Sequence, residues 1–419
     1  MQDAASKRTD MLASNAPMTP YSDTPAGADP LLAGRTILQI VPDLQSGGAE
    51  RTAIDVAEAL ANVGARSLVA AQGGRMVSEL QAKGGVWLPF PAGSKNPVQM
   101  MLNSVRLARI LRDEGVDILH ARSRASAWVA YFAARQAGVK FVTTYHGAYS
   151  GASAMKLRYN AIMASGQAVI ANSEFTARRI LDLDPSVANR LFVIPRGVDL
   201  RLFSPAAVDP ARVERLRAQW GVAQHERVVL MPARLSARKG HGVIIEAVKL
   251  LAAQGAAHDC KVILAGDAHS EAFHKTVEAQ IKRAGVADVV RMVGHCDDMP
   301  AAYLAAAAVA APATTPEAFG RIAVEAQAMG APVIVSDIGA AAEIVLSAPD
   351  TPNHLTTGWR ISPSDPAALA TAIHEALSLQ ASAHDALSLR AREHVRRRFS
   401  IEEMQHATLD VYRWLLLAP

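Results

Sequence analysis

Two glutamates eight positions apart, Glu317 and Glu325, are the residues of this chain whose spacing bears most directly on chemistry. The first precedes a predicted helix start, and the second lies inside that helix. On a continuous helix they would lie about 80° apart around the axis and about 12 Å apart along it. A carboxylate pair that flanks one glycosidic bond needs roughly 5 to 9.5 Å, which excludes that chemistry. The two acids can instead hold the ends of one extended anionic ligand, with the free N–H groups near Phe319, Gly320 and Arg321 facing its phosphates.

A short loop rich in cations follows the predicted strand 228–232. It places Arg234 and Lys239 between the end of that strand and the start of a helix. Open parallel sheets bind ligands at the carboxyl ends of their strands, and an arginine fork beside a lysine ammonium suits a diphosphate. The loop therefore predicts phosphate contacts, and a nucleotide-sugar fits both this loop and the two acids. A basic surface loop without a ligand is the alternative interpretation.

Two further loops carry residues suited to a ligand cleft. Gly47 and Gly48 open a helix after the first predicted strand, where the absence of side chains lets the backbone approach a ligand. They do not form a dinucleotide fingerprint, because G-x-G-x-x-G is absent. His146 directly follows the predicted strand 141–144. Taken singly, Gly47 and Gly48 also fit an ordinary turn with a helix cap, and His146 also fits a structural histidine.

Together these motifs resemble the retaining glycosyltransferases of the GT-B fold in family 4. Glu317 and Glu325 match the E-x7-E motif of that family. Residues 233–240 match its G-R-L-x-x-x-K-G element, with alanine in place of the first glycine. Residues 47–50 match Gly-Gly-Ala-Glu, and residues 144–147 match T-x-H-G. The resemblance extends over residues 35–417.

The resemblance implies a role in the reaction for each of these residues. Glu325 would accept hydrogen bonds from the ribose, Glu317 would bind the sugar ring, and His146 would face the transferred sugar. Arg234 and Lys239 would stabilise the leaving diphosphate in place of a metal ion. The implied catalytic residues are His146, Glu317, Arg234 and Lys239. The implied donor-binding residues are Gly47, Gly48, Arg234, Lys239, Gly266, Glu317, Ala318, Phe319, Gly320 and Glu325. The chain departs from the family pattern at Arg196, where asparagine is common, and at Ala340, where a second glycine is frequent.

Apolar runs alternate with amphipathic stretches twice along the chain, which predicts parallel sheets covered by helices on both faces. We therefore expect an α/β protein of GT-B architecture, with two Rossmann-like domains facing a cleft. The expected acceptor-side domain spans residues 35–198, and the nucleotide-sugar-binding domain spans 199–397. A terminal helix lies within 398–419, where Ser400 and Glu403 predict its capping box. The resemblance implies that this helix crosses back to the first domain.

The length and composition suit two domains of ordinary size, since half of the 419 residues are hydrophobic and each domain can bury its own core. No apolar run reaches the ~18 residues that a membrane helix needs. Residues 1–34 are polar and rich in proline and alanine, so we expect a disordered tail rather than a secretory signal. Cys260 and Cys296 fit packed thiols in a reducing cytoplasm.

Positive charge is concentrated in the first half of the chain. Residues 35–198 contain 19 Lys and Arg against 11 Asp and Glu, a balance of +8, whereas the whole chain carries +4. This balance indicates attraction to anionic lipid or to a phosphorylated acceptor, with a solvated basic surface as the alternative. Nucleic acid is disfavoured as a partner, because no basic patch interleaved with aromatic residues and no recognised binding motif accompanies the charge.

Residues 117–125 and 143–149 are similar to bacterial transferases that extend the lipopolysaccharide core. This similarity implies transfer of a hexose, with GDP-mannose considered as the donor, to a membrane-associated glycan. The enzyme would lie in the cytoplasm, peripheral on the inner face of the plasma membrane. The predicted acceptor or membrane contacts are Arg122, Arg124, Lys156 and Arg158. UDP, GDP and ADP donors all stay open.

We expect neither a cofactor nor a metal ion. Asp182 and Asp184 form a D-x-D pattern, but they lie at a predicted helix end without a leading strand, so we interpret them as surface acids. No His, Cys or Asp cluster has metal-ligand spacing. One rival function is a nucleotide-sugar 2-epimerase on the same scaffold, which needs no acceptor. Another is a non-catalytic nucleotide-sugar binder. A redox enzyme is disfavoured because the dinucleotide fingerprint is missing.

Overall fold

The two halves of the chain build two separate parallel sheets. The structure is a computed structural model that describes residues 29–45, 47–147, 153–268 and 270–418. Within these residues, seven strands form the first sheet and six form the second. Every strand pair is parallel. The predicted α/β fold with two Rossmann-like domains is confirmed.

The first sheet reverses its winding direction between two central strands. Its strands are β1 (Thr36–Asp43), β2 (Arg66–Gln72), β3 (Val86–Pro89), β4 (Ile118–Ala121), β5 (Lys140–Tyr145), β6 (Ala168–Ala171) and β7 (Leu191–Val193). Their order in space is β3-β2-β1-β4-β5-β6-β7, so the reversal falls between β1 and β4. All residues of β4 and β6 are buried, as expected for strands that helices cover on both faces.

Helices cover this sheet on both faces. They are α1 (Gly48–Asn62), α2 (Val77–Ala82), α3 (Pro97–Asp113), α4 (Arg124–Ala137), α5 (Ala154–Ala161) and α6 (Glu174–Leu183). Short polar side chains cap the starts of four of them by accepting N–H groups of the first turn. These capping residues are Asn96, Ser123, Ser153 and Ser173. Leu107 of α3, Val129 of α4 and Ile180 of α6 belong to one core cluster on one face of the sheet.

The second sheet has the same kind of reversal. Its strands are β8 (Arg227–Pro232), β9 (Cys260–Ala265), β10 (Val290–Gly294), β11 (Ala308–Ala311), β12 (Val333–Ser336) and β13 (Trp359–Ile361). In the order β10-β9-β8-β11-β12-β13, the reversal falls between β8 and β11. The helices of this half are α7 (Pro210–Gln219), α8 (His241–Ala253), α9 (Glu271–Ala284), α10 (Met299–Ala305), α11 (Arg321–Ala328), α12 (Ala341–Ile344), α13 (Pro366–Leu377) and α14 (Ala381–Arg398).

The last helix, α15 (Ile401–Leu417), packs on the first domain. Ser400 caps its start by accepting the N–H of Glu403 at 3.2 Å, as the sequence predicts. Its Tyr412 is fully buried, and the hydroxyl lies 2.7 Å from Nδ1 of His120 on β4. Nε2 of the same histidine lies 2.6 Å from the Thr144 hydroxyl on β5. Burial lowers the pKa of His120 well below its ordinary value, so this buried bond joins neutral groups.

A second contact joins the two domains directly. The carboxylate of Glu343, on α12 of the second domain, accepts the backbone N–H groups of Glu174 and Phe175 at 2.7 and 2.6 Å. Those two amides belong to the first turn of α6, in the first domain. A carboxylate at a helix N-terminus is stabilised by the free amides and by the helix dipole. Glu343 therefore caps a helix of the other domain.

The prediction of a disordered tail over residues 1–34 is wrong for residues 29–34. Leu32 is fully buried, in the same core cluster as Tyr412. Asp29 accepts a hydrogen bond from Nε of Arg413 at 2.8 Å, which ties the segment to α15. The apolar contact and the ion pair give these residues a fixed place. Residues 1–28 lie outside the described part of the chain.

Both cysteines are free thiols. Burial raises the pKa of the Cys260 thiol in β9 to about 12. In the described part of the chain, no helix is both long and apolar enough to cross a membrane.

We expect Tyr412→Phe to lower the free energy of unfolding by about 1–3 kcal/mol, because it leaves the buried Nδ1 of His120 without its partner. Urea unfolding followed by circular dichroism measures this loss. Leu417→Ala, at the exposed end of the same helix, is the control and should change stability by less than about 0.5 kcal/mol. Equal losses in the two variants would contradict a stabilising role for the buried bond.

Candidate functional site

The predicted site residues follow the carboxyl ends of strands in both sheets. In the second domain, Arg234 follows β8 and Glu317 follows β11, the two strands between which the winding reverses. In the first domain, Gly48 follows β1 and His146 follows β5. A winding reversal leaves a crevice outside the strand ends, which is the usual ligand position in open α/β sheets. The topology therefore places these residues at the edges of the two sheets where open α/β sheets usually bind ligands.

The phosphate loop predicted from the sequence meets the first acid of the E-x7-E motif. Nζ of Lys239 lies 2.5 Å from Oε1 of Glu317, although the residues are 78 positions apart. Both side chains are about one-fifth exposed, so the pair remains open to a ligand. Arg234, in the same loop, is exposed. The structure thus brings the predicted phosphate-binding and sugar-binding groups into one place.

Close backbone packing fixes the phosphate loop. Gly240 has φ +85°, and a β-carbon there would lie 1.8 Å from the carbonyl oxygen of Pro312 after β11. The Thr314 N–H donates to the carbonyl oxygen of Arg238 at 2.9 Å. A β-carbon at Gly266 would lie 2.3 Å from the carbonyl oxygen of Ala233. Gly266 is predicted to bind the donor. In the structure, its lack of a side chain lets the ends of β8 and β9 approach each other.

Glu325 is held by two side chains that the sequence analysis did not select. The Tyr303 hydroxyl donates to Oε2 at 2.9 Å, and the Arg321 guanidinium donates to Oε1 at 3.0 and 3.2 Å. Burial, and then the neighbouring carboxylate, raise the pKa of Tyr303 well above its ordinary value. The four-residue spacing of Arg321 and Glu325 on a helix was a signal for their ion pair. Nothing local in the sequence pointed to Tyr303.

The E-x7-E segment is a loop followed by a helix. Glu317, Ala318 and Phe319 lie before α11, and Gly320 stands at its N-cap without a side-chain cap. The angle and distance predicted on one continuous helix therefore do not apply, because only Glu325 is helical. The Glu317 carbonyl oxygen instead accepts the N–H of Ala340 at 3.0 Å, which fixes this loop against the start of α12.

In the first domain, Arg196 connects the glycine loop with His146. Its Nη2 donates to Nδ1 and to the carbonyl oxygen of His146, both at 3.1 Å. Its Nη1 fills the space beside Gly48, where a β-carbon would lie 2.1 Å away. A β-carbon at Gly47 would likewise collide with the carboxylate of Glu50. In the sequence, Arg196 is only a departure from the family pattern, and no local spacing indicates its contact with His146.

Burial and the contact with Arg196 together determine the charge and the tautomer of His146. Burial lowers the pKa of His146 well below its ordinary value, and the Arg196 cation lowers it further. Because Nδ1 accepts from Arg196, the single ring proton lies on Nε2. That buried Nε2 has no hydrogen-bond partner within the described residues. His146 is therefore a neutral side chain with one buried ring N–H left to donate among the described residues.

The four predicted acceptor-side cations have three different environments. Arg122 is only 2% exposed, and its Nε donates to Oε1 of Gln39 at 2.7 Å, so the prediction of a surface contact is wrong for this residue. It follows the buried strand β4 and turns into the domain. Arg124 is half-buried and donates to Asn160 at 2.8 Å. Lys156 and Arg158 are exposed on α5.

The described residues contain no group of three His, Cys, Asp or Glu that could hold a metal ion. Asp184 accepts the N–H of Ser186 at 3.1 Å and so caps the turn that follows α6. The second domain also has an open cavity of about 700 Å³ at the edge strand β10, lined by Trp220, Arg291, His295, Cys296 and Asp298 among others. The sequence analysis did not predict this cavity.

Two family profiles match most of the chain. The profile described as "Glycosyl transferases group 1" matches residues 212–394, and the profile described as "Glycosyltransferase Family 4" matches residues 46–202. A protein of Salinispora arenicola named D-inositol 3-phosphate glycosyltransferase is 29% identical over 242 residues. That match covers 53% of this chain and 54% of the relative, so it spans only about half of the relative's length.

Solved structures match over nearly the whole length. A glycosyltransferase from Rickettsia africae is 32% identical, with a TM-score of 0.81, and the match covers 92% of this chain and 99% of that one. Anabaena HepE in complex with UDP and glucose is 25% identical, with a TM-score of 0.77, over 90% of this chain and 99% of that one. These similarities confirm the GT-B architecture and the assignment of the chain to the glycosyltransferases. The chain therefore belongs to the group 1 glycosyltransferases, with an N-terminal domain of glycosyltransferase family 4.

Proposed function

We propose that this enzyme moves a hexose from a nucleotide-sugar to a hydroxyl of an anionic, membrane-associated glycan, with retention of configuration and without a metal ion. The contact between Lys239 and Glu317 carries the proposal. Diphosphate and hexose are adjacent parts of one donor, so a phosphate-binding lysine beside a sugar-binding acid fits a single ligand. UDP and glucose in Anabaena HepE support a donor of this class. UDP-, GDP- and ADP-sugars, including GDP-mannose, are all donors to test.

In the proposed step, the bond between sugar C1 and the phosphate oxygen breaks while a bond between C1 and the acceptor oxygen forms on the same face. The acceptor proton passes to the leaving phosphate oxygen, and a nucleoside diphosphate departs. Arg234, Lys239 and the uncapped first amides of α11 stabilise the charge of the diphosphate. His146 remains neutral, and its Nε2–H orients a sugar hydroxyl.

Two acceptors deserve a direct comparison. Lipopolysaccharide core is the acceptor that sequence resemblance in the first half of the chain predicts. The names of the relatives favour a second acceptor, inositol 3-phosphate. Both acceptors are anionic, and both agree with the balance of +8 over residues 35–198.

A two-stage assay tests the proposal. Thermal shifts with a panel of nucleotide-sugars identify the donor, since a ligand at a hundred times its Kd stabilises by about 2.7 kcal/mol. Labelled donor is then incubated with truncated lipopolysaccharide core, with inositol 3-phosphate, or alone. We expect labelled sugar on the lipopolysaccharide, with the anomeric configuration of the donor. Transfer to inositol 3-phosphate alone would favour the second acceptor, a 2-epimer from donor alone would establish an epimerase, and binding without turnover would establish a binder.

We expect Arg234→Ala and Lys239→Ala each to lower turnover by about a hundredfold or more, because each removes a charge that stabilises the leaving diphosphate. Steady-state kinetics with the identified donor measures the loss. Arg238→Ala is the matched control, since this exposed cation lies in the same loop and contributes only its backbone to the contact with Thr314. Turnover near the wild-type rate in either test variant would exclude the proposed role.

We expect turnover to be unchanged after exhaustive treatment with a divalent-metal chelator, because the fixed cations Arg234 and Lys239 neutralise the diphosphate. The rate of nucleoside diphosphate release, measured before and after chelation, checks this expectation. Loss of activity that added Mg²⁺ or Mn²⁺ restores would contradict the metal-independent mechanism.

A further inference from the structure

Helix α3 has a second apolar stripe that faces solvent. Val98, Met101, Leu102 and Val105 are each between 49% and 65% exposed. At 100° per residue, these four side chains fall within a sector about 100° wide. The core-facing stripe, which includes Leu107 and Leu111, lies on the opposite side of the helix. A surface helix normally has a single apolar stripe, directed to the core, so this additional stripe calls for a partner.

Cations continue the same sector and flank it. Arg109 and Arg112, both exposed, fall within the sector in the last two turns of α3. Lys95 precedes the helix, and Arg106 lies beside the stripe. Residues 95–112 contain no acid, and neither do residues 118–173, which carry six Lys or Arg. Three acids separate these two ranges: Glu114 and Asp117 pair with Arg66 and Arg35, and the exposed Asp113 ends α3 about 20° outside the sector. With ten Lys and Arg against three acids over residues 95–173, the surroundings of the stripe are predominantly cationic.

The neighbouring helices extend this surface. Helix α4 packs along α3 on one side and contacts α5 on the other, through the stacked rings of Trp128 and Tyr159. On α5, Met155 is 82% exposed, and Lys156 beside it is also exposed. Phe132 on α4 is also exposed. We call the outer surface of α3, α4 and α5 the basic–apolar face.

The position of this face relates it to the cleft. Helices α3, α4 and α5 each follow a strand of the first sheet, namely β3, β4 and β5. Because the strands are parallel, each of these helices starts at the edge of the sheet where His146 lies. Met101 and Met155, the most exposed apolar residues of α3 and of α5, are near the starts of their helices. The apolar part of the face therefore borders the acceptor side of the molecule.

We propose that the basic–apolar face docks on an anionic lipid bilayer, with Met101, Leu102 and Met155 entering the interface and the arginines contacting lipid headgroups. Apolar side chains beside a predominantly cationic surface are the pattern of an interfacial helix, which gains from both apolar burial and attraction to anionic lipid. A soluble polyanion would leave the exposed apolar residues unused. The inference rests on the proposed function only in that docking here would bring a membrane-bound acceptor to the cleft.

Co-sedimentation with vesicles tests the docking face. The full chain is mixed with phosphatidylcholine vesicles that contain or lack phosphatidylglycerol. We expect binding only to the anionic vesicles. The double variant M101S/L102S, which preserves charge, should bind at least tenfold more weakly. The double variant R109Q/R112Q, which preserves the apolar stripe, should bind about thirtyfold more weakly.

Matched controls lie on the second domain. Leu389→Ser changes a leucine on α14 that is more exposed than Leu102, and K282Q/R283Q removes two exposed cations from the last turn of α9. Both controls should bind vesicles within twofold of the wild type. Equal losses in test and control variants, absence of vesicle binding by the wild type, or binding only to a soluble polyanion such as heparin would each overturn the proposal. Nucleotide-sugar binding by the test variants, measured by thermal shift, should stay unchanged. Loss of vesicle binding with that signal intact separates the docking face from the transfer reaction.

Discussion

The parallel direction of every strand in both sheets is the constraint on which the rest of the structure depends. It places all strand ends of a sheet at one edge, and the winding reversals at β1/β4 and β8/β11 open that edge into a crevice. Residues far apart in sequence, such as Lys239 and Glu317, meet there. The candidate site is thus assembled by loops, while the buried strands beneath them provide rigidity.

The first domain is completed by the two ends of the described chain. Residues 29–34 and α15 both pack on the helix face that holds α1, and Asp29 pairs with Arg413 across them. The bond between Tyr412 and His120 then fixes α15 to the centre of the first sheet. The chain therefore passes between the domains twice, once near Val198 and once near Ser400, where the two segments form a β-bridge.

The sequence was sufficient to predict the strand–helix alternation, the two parallel sheets and the loops that hold Lys239, Glu317 and His146. It could not predict the partners of those side chains. Arg122 and Arg234 both follow buried strands, yet one turns into the domain and the other to solvent, and only tertiary packing decides between them. Tyr303 meets Glu325 from a different helix, with no local spacing to indicate it. Strand β13 has three residues, too few for a periodic pattern.

The carboxylate of Glu343 makes the contact between the two domains sensitive to pH. It bonds the two leading amides of α6 across the domain boundary, and burial raises its pKa above the ordinary value. Protonation weakens a carboxylate as an acceptor, and for this side chain it begins at a higher pH than for an exposed glutamate. The capping bonds from α6 to Glu343, which join the two domains, are therefore weaker in acid than at neutral pH.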